Sequence, residues 1–453
     1  MFIGRKKELE TLNNFINSDD KALLLYGKRR VGKTELIKQA FKDNCVYFEC
    51  MKDTLENNVS SFISSLQKKG LITIPFKAET FIDVFSLLDA LNVKTNIVID
   101  EYPYLYKYSD SAKIDSHFQN IIDNYLKNTK LVLCGSNVNV MTSLLEGSNA
   151  LFGRFDETIF LDELNYLEAQ HFYYNKSIYD KIGFYSVFGG SPYLNLEVDS
   201  DLSLEENIKR TFLNEKSNVY RYCENLLFTD VPSSVNINSI CDVLKNGKKT
   251  CTQIESSLNV EKNGGMNKKL ELLSRMKLIT KYQPINKLNN SKATKYEIND
   301  NAIRFFYSFV YKNKSILTTI GSDTYYKEYV GDRLTTFISH RFEEMVRNYL
   351  SNEVKLGRID GAIGIGTYYY DDVKTKTNGE FDVAIKLRDE KYKIFEVKYY
   401  KNNILKIKEM EEEEKQVKKI NEINIDSVAF VSTSGYEEGS AFECIDIYDM
   451  YKE

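Results

Sequence analysis

Gly27, Gly32, Lys33 and Thr34 follow the spacing G-x-x-x-x-G-K-T near the start of the chain. Glycines let a loop present a concave row of backbone N–H groups to an anion without an intervening Cβ. In such a loop the lysine ammonium reaches the β- and γ-phosphates of a nucleotide, and the threonine hydroxyl is placed to bind Mg²⁺. The spacing therefore predicts a site for ATP with Mg²⁺. The predicted contacts are Gly27, Lys28, Arg29, Arg30, Val31, Gly32, Lys33, Thr34 and Glu35.

The residues on either side of this loop are those that would position it. Residues 22–26 are an apolar run rich in leucine, which predicts a buried strand, and residues 34–41 have helical spacing. A helix that begins at the loop points its positive dipole end and its free N–H groups at the phosphates. Strand, loop and helix in this order favour a P-loop over a glycine turn that matches the spacing by chance.

Two acids, Asp100 and Glu101, end a second apolar strand over residues 95–99. This is the pattern of a Walker B segment, in which the first acid holds Mg²⁺ through water and the second orients the water that attacks the γ-phosphate. Glu101 and Lys33 are therefore the predicted catalytic residues for ATP hydrolysis, and Thr34 and Asp100 the predicted metal ligands.

Strands alternate with helices over about the first 165 residues, which predicts an α/β fold with a parallel sheet. In such a sheet the ligand lies at the carboxyl ends of the strands. Ser136 and Asn137 follow a strand over residues 130–135, so one of them is expected to sense the γ-phosphate or to position water. The alternative is a simple turn at the end of the strand.

Arg154 precedes a further strand over residues 157–161. An arginine at this point can reach phosphate, in its own subunit or in a neighbouring one, and can stabilise the charge of the transition state. The alternative is a structural ion pair. The sequence leaves the oligomeric state open.

The composition is that of a folded protein of several domains. The chain has 453 residues, of which 42% are hydrophobic and 28% charged, and its net charge is −4. The seven cysteines are scattered and there are only three histidines, which argues against a disulfide framework, a zinc site and a Cys/His nucleophile. Because no apolar run approaches about 18 residues and the first residues lack the features of a signal peptide, we expect a cytoplasmic protein without a membrane segment.

Several motifs follow one another in the first half of the chain. They are Phe2-Ile-Gly-Arg with Glu8-Leu9, the P-loop, Ile99-Asp-Glu-Tyr-Pro-Tyr-Leu105, Cys134-Gly-Ser136, Gly153-Arg154 and Gly190-Ser-Pro192. Their order resembles that of the archaeal-type, prokaryotic ATPase family of the AAA/STAND class. In relatives a Gly-x-Pro turn of a helical lid contacts the base, which implies that role for Pro192. Asn137 departs from the family, where a second serine is usual.

Residues 236–300 have the pattern of three short helices followed by two strands, which resembles a winged helix-turn-helix. Between residues 241 and 290 there are ten Lys/Arg against four acids, so this acidic chain contains a basic region. Such a region on the third helix and wing favours DNA as a partner. The alternatives are a docking module and lysines that are merely solvated.

The last domain contains a second group of chemical candidates. Residues 379–386 and 391–398 alternate like two strands joined by a three-residue turn, a register that sets Asp382 opposite Glu396 and Glu380 opposite Lys398. Two carboxylates that face each other repel, and a divalent cation between them removes the conflict. We therefore expect Mg²⁺ or Mn²⁺ to bind at Asp382 and Glu396.

The spacing of these residues resembles the PD-(D/E)XK nuclease signature. The resemblance implies that Asp382 and Glu396 bind the metal, that Lys398 assists the attacking water, and that Glu343 is the acid often found on a helix of that fold. The residues around Asp371-Asp372 are expected to form a loop that does not resemble the usual proline-aspartate start. The acidic run 411–414 is interpreted as a solvated helix face.

Two functions follow from these predictions. In the first, ATP binding and hydrolysis control DNA binding and metal-dependent DNA cleavage. In the second, an ATP-switched regulatory or scaffold protein binds a partner through a nuclease-like domain that does not cut. The predicted domains are a P-loop ATPase core (1–165), a helical lid (166–235), a winged helix-turn-helix (236–300) and an α+β restriction-endonuclease-like domain (301–453).

Overall fold

The structure is a computed structural model that describes residues 2–229, 231, 235–288, 290–372, 377–421 and 423–452. It divides into two compact units. The first unit runs to Leu164 and includes the short segments Ser191–Tyr193 and Arg275–Lys277, and the second contains the rest of the described chain. The finer division into four domains stays a prediction, and residues 230 and 232–234 of the predicted lid lie outside the described residues.

The strands of the first unit are β1 (Ala22–Tyr26), β2 (Cys45–Glu49), β3 (Thr95–Asp100), β4 (Thr129–Gly135) and β5 (Glu157–Phe160). They form one sheet in the order β2-β3-β4-β1-β5, and all of its pairs are parallel. The predicted parallel α/β sheet is confirmed. Because the strands run in one direction, their carboxyl ends lie at one edge of the sheet. The P-loop after β1, the two acids at the end of β3 and Ser136 after β4 therefore meet there.

The helices of this unit cover both faces of the sheet. All five residues of β1 are buried, as expected of a parallel strand between two helical layers. Leu24 belongs to the core that contains Phe62, whereas Leu23 and Leu25 belong to the core that contains Phe15. The helices are α1 (Lys6–Asn17), α2 (Lys33–Phe41), α3 (Leu55–Lys68), α4 (Phe81–Ala90), α5 (Ser111–Asn124) and α6 (Val138–Ser143).

The chain after Leu164 begins with short helices that contain a sharp glycine turn. Gly189 has a φ of 67°, a left-handed conformation that glycine adopts without strain, and it separates two of these helices. No helix within the described ranges has an apolar stretch long enough to cross a membrane. The helices are α7 (Tyr166–Ala169), α8 (Ile178–Phe188), α9 (Pro192–Asn195), α10 (Leu204–Arg210) and α11 (Asn218–Thr229).

The next segment has the predicted order of three helices followed by two antiparallel strands. They are α12 (Ile237–Leu244), α13 (Cys251–Leu258), α14 (Gly265–Arg275), β7 (Ile279–Tyr282) and β8 (Lys295–Ile298). A two-residue strand between α12 and α13, β6 (Lys249–Thr250), pairs with β8 and completes a three-stranded sheet. We call residues 237–298 the middle segment; its assignment as a winged helix-turn-helix stays a prediction.

The last part of the chain is a mixed sheet with helices. Its helices are α15 (Asn301–Phe309), α16 (Lys314–Tyr325), α17 (Asp332–Lys355), α18 (Ile407–Lys418) and α19 (Ile447–Met450). Its strands are β9 (Ala362–Asp372), β10 (Thr377–Leu387), β11 (Tyr392–Lys398), β12 (Ile425–Ser432) and β13 (Glu443–Asp446), in the order β13-β12-β11-β10-β9. Strands β9 to β11 are antiparallel, and β11 to β13 are parallel.

Where β10 and β11 pair, the register agrees with the predicted one, with Ala384 opposite Ile394 and Lys386 opposite Tyr392. The predicted facing of Asp382 with Glu396 and of Glu380 with Lys398 lies beyond these pairs and stays a prediction. The expectation of a loop at Asp371-Asp372 was wrong. These residues pair with Asn378 and Thr377 and extend β9, and the Asp372 carboxylate accepts a hydrogen bond from the backbone N–H of Asn421 at 2.9 Å.

Candidate functional site: a nucleotide site and an acidic cavity

The two glycines of the P-loop are required for different reasons. A Cβ on Gly27 would lie 2.1 Å from the carbonyl oxygen of Leu161, so the close approach of the chain after β5 excludes any larger residue. Gly32 has a φ of 97° and Arg30 a φ of 67°, which places two left-handed residues in the loop. This backbone curls directly into the first turn of α2.

Lys33 lies inside the curl and is 8% exposed. Its ammonium donates to the carbonyl oxygens of Gly27 at 2.8 Å and Lys28 at 2.9 Å. Burial lowers the pKa of Lys33, and the nearby acids Asp100 and Glu101 oppose that shift. The ammonium therefore sits at the predicted phosphate site, where a phosphate oxygen can replace the loop carbonyls as acceptor.

Tyr47 contacts one of the two predicted Mg²⁺ ligands. Its hydroxyl donates to the Asp100 carboxylate. Burial raises the pKa of Tyr47, and the Asp100 charge raises it further, so the phenol keeps its proton. A cation at Asp100 would therefore meet a carboxylate that already has a donor, and the role of Thr34 as the second ligand stays a prediction.

Glu101 is held by the strand next to its own. The Ser136 hydroxyl donates to the Glu101 carboxylate at 2.8 Å, and the Glu101 N–H donates to the Asp100 carboxylate at 2.8 Å. Asn137 instead caps α6, with its side-chain oxygen accepting from the N–H of Val140 at 3.2 Å. Of the two candidates, Ser136 contacts the predicted catalytic acid, and Asn137 begins α6.

The predicted base contact, Pro192, lies beside the loop. Its Cγ is 3.9 Å from the point where a Cβ on Gly32 would be. The neighbouring Tyr193 stacks under the Arg30 guanidinium, 4.0 Å from the ring centre. This short segment therefore borders the P-loop, and the contact of Pro192 with the base stays a prediction.

The other charged loop residues have protein partners. The Lys28 ammonium lies 2.5 Å from the Glu163 carboxylate, and the Arg29 guanidinium donates to the Tyr104 hydroxyl at 3.1 Å. Glu35 forms an exposed ion pair on α2. Their nucleotide contacts stay predictions.

Arg5 fixes the P-loop from outside. It is 4% exposed and donates to the carbonyl oxygens of Val31 at 3.0 Å and Asp162 at 2.6 Å. Arg5 therefore ties α1 to the loop and to the chain after β5, and the Val31 side chain is buried beside it.

Arg154 is not at the nucleotide edge of its own sheet. It precedes β5, whose first residue pairs with Leu23 near the start of β1, so it lies near the amino ends of the strands. Its Nε is 3.1 Å from the Asp123 carboxylate. The expectation that Arg154 reaches phosphate in its own subunit was therefore wrong, because a parallel sheet separates the two strand ends; a role in a neighbouring subunit stays a prediction.

The acids of β10 face lysines of the middle segment. The Lys248 ammonium lies 3.2 Å from the Asp382 carboxylate and 3.5 Å from the Glu380 carboxylate. Lys295 pairs with the other oxygen of Glu380. The charge of Glu380 is therefore paired with these two lysines.

Glu396 and Lys398 of β11 lie closer to α18. The Lys398 ammonium is 2.6 Å from the Glu413 carboxylate and 3.7 Å from that of Glu396. Burial raises the pKa of Glu396, and the charges of Glu413, Asp382 and Glu343 add to that shift. The acidic run 411–414 is therefore not only a solvated face, since Glu413 neutralises the predicted catalytic lysine.

Glu343 of α17 lines a cavity of about 570 Å³ together with Glu380 and Asp382. Its carboxylate is 3.5 Å from Nδ1 of His340. Within the residues that the structure describes, no three His, Cys, Asp or Glu side chains are grouped so that they could hold a metal ion. The acids therefore lie near one another but do not fit a metal. The ammonium groups of lysines pair with the carboxylates of Glu380 and Asp382.

Three residues of these sites were not predicted as site residues: Tyr47, Lys248 and Lys295. Glu49 pairs with Asp100 in the neighbouring strand. Tyr47 is two residues before Glu49, so its side chain lies on the same face of the sheet. If the strand order had been known, the sequence would therefore have placed Tyr47 on the face of Asp100. The two lysines lie in or beside the basic region, but nothing in their local sequence indicates an acidic partner more than 80 residues away.

The fold and the first site together define a P-loop NTPase. Residues 2–198 match the model of an ATPase domain predominantly from Archaea. Residues 306–420 match a family described as "Archaea bacterial proteins of unknown function". The chain thus matches an ATPase-domain model over its first part and a second, separate family model over part of its C-terminal half.

Three proteins with archaeal names are similar to this chain. An uncharacterized protein of Methanocaldococcus jannaschii is 25% identical over 369 residues, which are 79% of each chain. The Walker-type ATPase of Pyrococcus abyssi is similar in structure, with a TM-score of 0.52 and 19% identity over 68% of this chain and 96% of that one. An ORC2 protein of Aeropyrum pernix, solved with ADPNP and ADP, has a TM-score of 0.46 and 12% identity over 70% and 94% of the two chains.

Proposed function

We propose that this chain hydrolyses ATP and couples its nucleotide state to DNA binding by residues 236–300, as a winged helix-turn-helix, and to metal-dependent DNA cleavage by residues 301–453. The observation that carries the ATPase proposal is the contact between the Glu101 carboxylate and the Ser136 hydroxyl beside the buried Lys33. It holds an acid at the nucleotide edge of the sheet, where attacking water must be oriented.

In the proposed reaction each side chain has one task. Lys33 exchanges its loop carbonyls for phosphate oxygens, and Glu101, held by Ser136, orients the attacking water. Thr34 and Asp100 hold Mg²⁺, which neutralises phosphate charge when it is bound.

A second candidate is a regulatory or scaffold protein whose C-terminal domain binds without cutting. The observation that favours it is the pairing of Glu380 and Asp382 with Lys248 and Lys295, which places ammonium groups at the carboxylates that a metal would need.

The test measures ATP binding, ATP turnover and plasmid integrity on one set of full-length variants with Mg²⁺ or Mn²⁺. Lys33→Ala is expected to lose ATP binding, whereas Glu101→Gln keeps binding and loses turnover by about 10²-fold or more. Asp382→Ala is expected to lose plasmid cutting and to keep ATP turnover.

Two matched variants serve as controls. Glu49→Gln changes an exposed acid of β2 beside Asp100, and Asp389→Ala changes an acid in the turn after β10; both should behave as wild type. If Glu101→Gln turned over ATP at the wild-type rate, Glu101 would not be the residue that orients the attacking water. If the plasmid stayed intact with both metals, the second candidate function, binding without cutting, would be favoured.

A further inference from the structure

The backbone at Glu101 depends on its surroundings for its conformation. Its φ is 51°, a left-handed value that a glutamate rarely adopts and that persists only where neighbouring contacts fix it. A 3₁₀-helix, Tyr102–Lys107, begins directly after Glu101, and we call it the short helix. The Tyr104 N–H of this helix donates to the Glu101 carbonyl oxygen at 2.8 Å. The position of Glu101 therefore depends on where the short helix lies.

Two tyrosines anchor the short helix to α5. The hydroxyls of Tyr102 and Tyr106 both donate to the Asp115 carboxylate, which also accepts from the Asn149 side chain at 2.7 Å. Tyr102 and Asp115 are buried. These contacts fix the short helix to the core of the first unit but do not connect it to the P-loop.

Tyr104 makes that connection at the nucleotide edge of the sheet. The Arg29 guanidinium, in the P-loop, donates to the Tyr104 hydroxyl at 3.1 Å. The Lys52 ammonium, in the loop after β2, lies 4.6 Å from the centre of the Tyr104 ring, which is the range of a cation–π contact. Tyr104 therefore contacts the loops that follow β1 and β2, while its own backbone holds the residue that follows β3.

The short helix crosses the end of β4, the strand that separates β3 from β1. A Cβ on Gly135, the last residue of β4, would lie 2.8 Å from Cδ of Pro103, so the helix passes close over this strand. The next residue is Ser136, whose hydroxyl contacts Glu101. The hydrogen bond between Arg29 and Tyr104 thus joins the P-loop to Glu101 across the strand between them.

We propose that Tyr104 is a positioning residue for ATP hydrolysis. Through Arg29 it sets the distance between the P-loop, which holds the phosphates, and Glu101, which orients the attacking water. The inference rests on the proposed ATPase function and adds a residue to it. A displacement of about 1 Å between reacting groups can cost about 10²-fold in rate. ATP binding does not need this placement, because the phosphate contacts come from the P-loop and the start of α2.

Tyr104→Phe removes the hydroxyl and keeps the ring. We expect the kcat for ATP hydrolysis by the full chain with Mg²⁺ to fall about tenfold or more, because the water is no longer placed correctly. The dissociation constant of a fluorescent ATP analogue should stay within about twofold of the wild-type value. A tyrosine that only stabilised the fold would not separate kcat from ATP binding in this way.

Tyr108→Phe is the matched control. It removes the same hydroxyl from a ring that directly follows the short helix and is 60% exposed. This variant should keep both the wild-type kcat and the wild-type ATP affinity.

Arg29→Met removes the donor of the same hydrogen bond. At saturating ATP, the addition of Tyr104→Phe to Arg29→Met should change kcat by less than about twofold, because the contact is already lost. If the tyrosine hydroxyl acted independently of Arg29, Tyr104→Phe would cause the same loss of kcat in both backgrounds.

Hydrogen–deuterium exchange measures the position of the short helix without nucleotide. The backbone amides of residues 102–107 should exchange about fivefold faster in Tyr104→Phe and in Arg29→Met than in the wild type, since the helix has lost one hydrogen bond. Tyr108→Phe should exchange as the wild type does. This measurement also applies to an Arg29→Met protein that no longer binds ATP.

The outcomes separate this inference from the proposed function. A wild-type kcat in Tyr104→Phe, or an equal loss of kcat with and without Arg29, would overturn the inference and leave the ATPase function in place. Unchanged exchange in both variants would overturn the inference whether or not the chain hydrolyses ATP. No hydrolysis by the wild-type protein would overturn the proposed ATPase function, and the inference with it.

Discussion

The hydroxyl of Tyr47 donates to the carboxylate of Asp100, which is expected to hold Mg²⁺. Asp100 is 4% exposed. A buried carboxylate without a donor is costly, so the tyrosine stabilises the nucleotide-free site. Binding of Mg²⁺ must then compete with this hydrogen bond.

We therefore expect Tyr47→Phe to have two opposite effects. The free energy of unfolding without Mg²⁺ should fall by about 1.5–3 kcal/mol, the usual contribution of a hydrogen bond to a charged group. The Mg²⁺ concentration for half-maximal binding of a fluorescent ATP analogue should fall by about tenfold, which corresponds to about 1.4 kcal/mol of lost competition.

Tyr106→Phe is the matched control. Its hydroxyl donates to the Asp115 carboxylate, away from the P-loop residues, so this variant should lose stability without a change in the Mg²⁺ midpoint. A Tyr47→Phe protein with the wild-type Mg²⁺ midpoint would show that the tyrosine does not compete with the cation.

A buried ion cluster joins three elements of the second unit. Glu297 of β8 accepts from the guanidinium of Arg304 on α15 at 2.6 Å and from that of Arg341 on α17 at 2.7 Å. All three side chains are at most 7% exposed. Such a cluster specifies how elements meet, because each charge is satisfied only in the native arrangement.

Glu297→Ala is expected to lower the free energy of unfolding by about 3–5 kcal/mol, since it leaves two buried guanidinium groups with one carboxylate fewer. The measurement is urea denaturation of the full chain followed by circular dichroism. The control Glu412→Ala removes an exposed ion pair with Lys408 at 4.0 Å. Its free energy of unfolding should stay within about 0.5 kcal/mol of the wild-type value. Equal values for the two variants would contradict the role of the cluster.

The chain as a whole consists of two compact units, each with its own hydrophobic core. A unit with its own core can unfold as a cooperative block, and a ligand stabilises only the block that binds it. The predicted nucleotide contacts all lie in the first unit.

Calorimetry should therefore resolve two thermal transitions in the absence of DNA. ATP with Mg²⁺ at about 100 times its dissociation constant should stabilise one block by about 2.7 kcal/mol. For a block of this size, that corresponds to an upward shift of about 5–10 °C. Lys33→Ala should keep both transitions and lose the shift. If ATP with Mg²⁺ raised the temperatures of both transitions, the two units would not unfold independently.

The sequence by itself determined features that depend on neighbouring residues. The P-loop follows from glycine and lysine spacing, because the loop backbone and the start of α2 are built from consecutive residues. The parallel sheet follows from apolar strands that alternate with helices, and the register of Ala384 with Ile394 follows from the short turn between their strands. Each of these results needs only local geometry.

Only the tertiary structure decided which distant charges meet. Tyr47 contacts Asp100 across neighbouring strands, Lys248 contacts Asp382 from 134 positions away, and Arg154 lies at the opposite edge of the sheet from the P-loop. Side-chain spacing along the chain contains no information on such pairs. They depend on strand order and on how helices and sheets pack, because charges interact through space over a few ångströms whatever their separation in sequence.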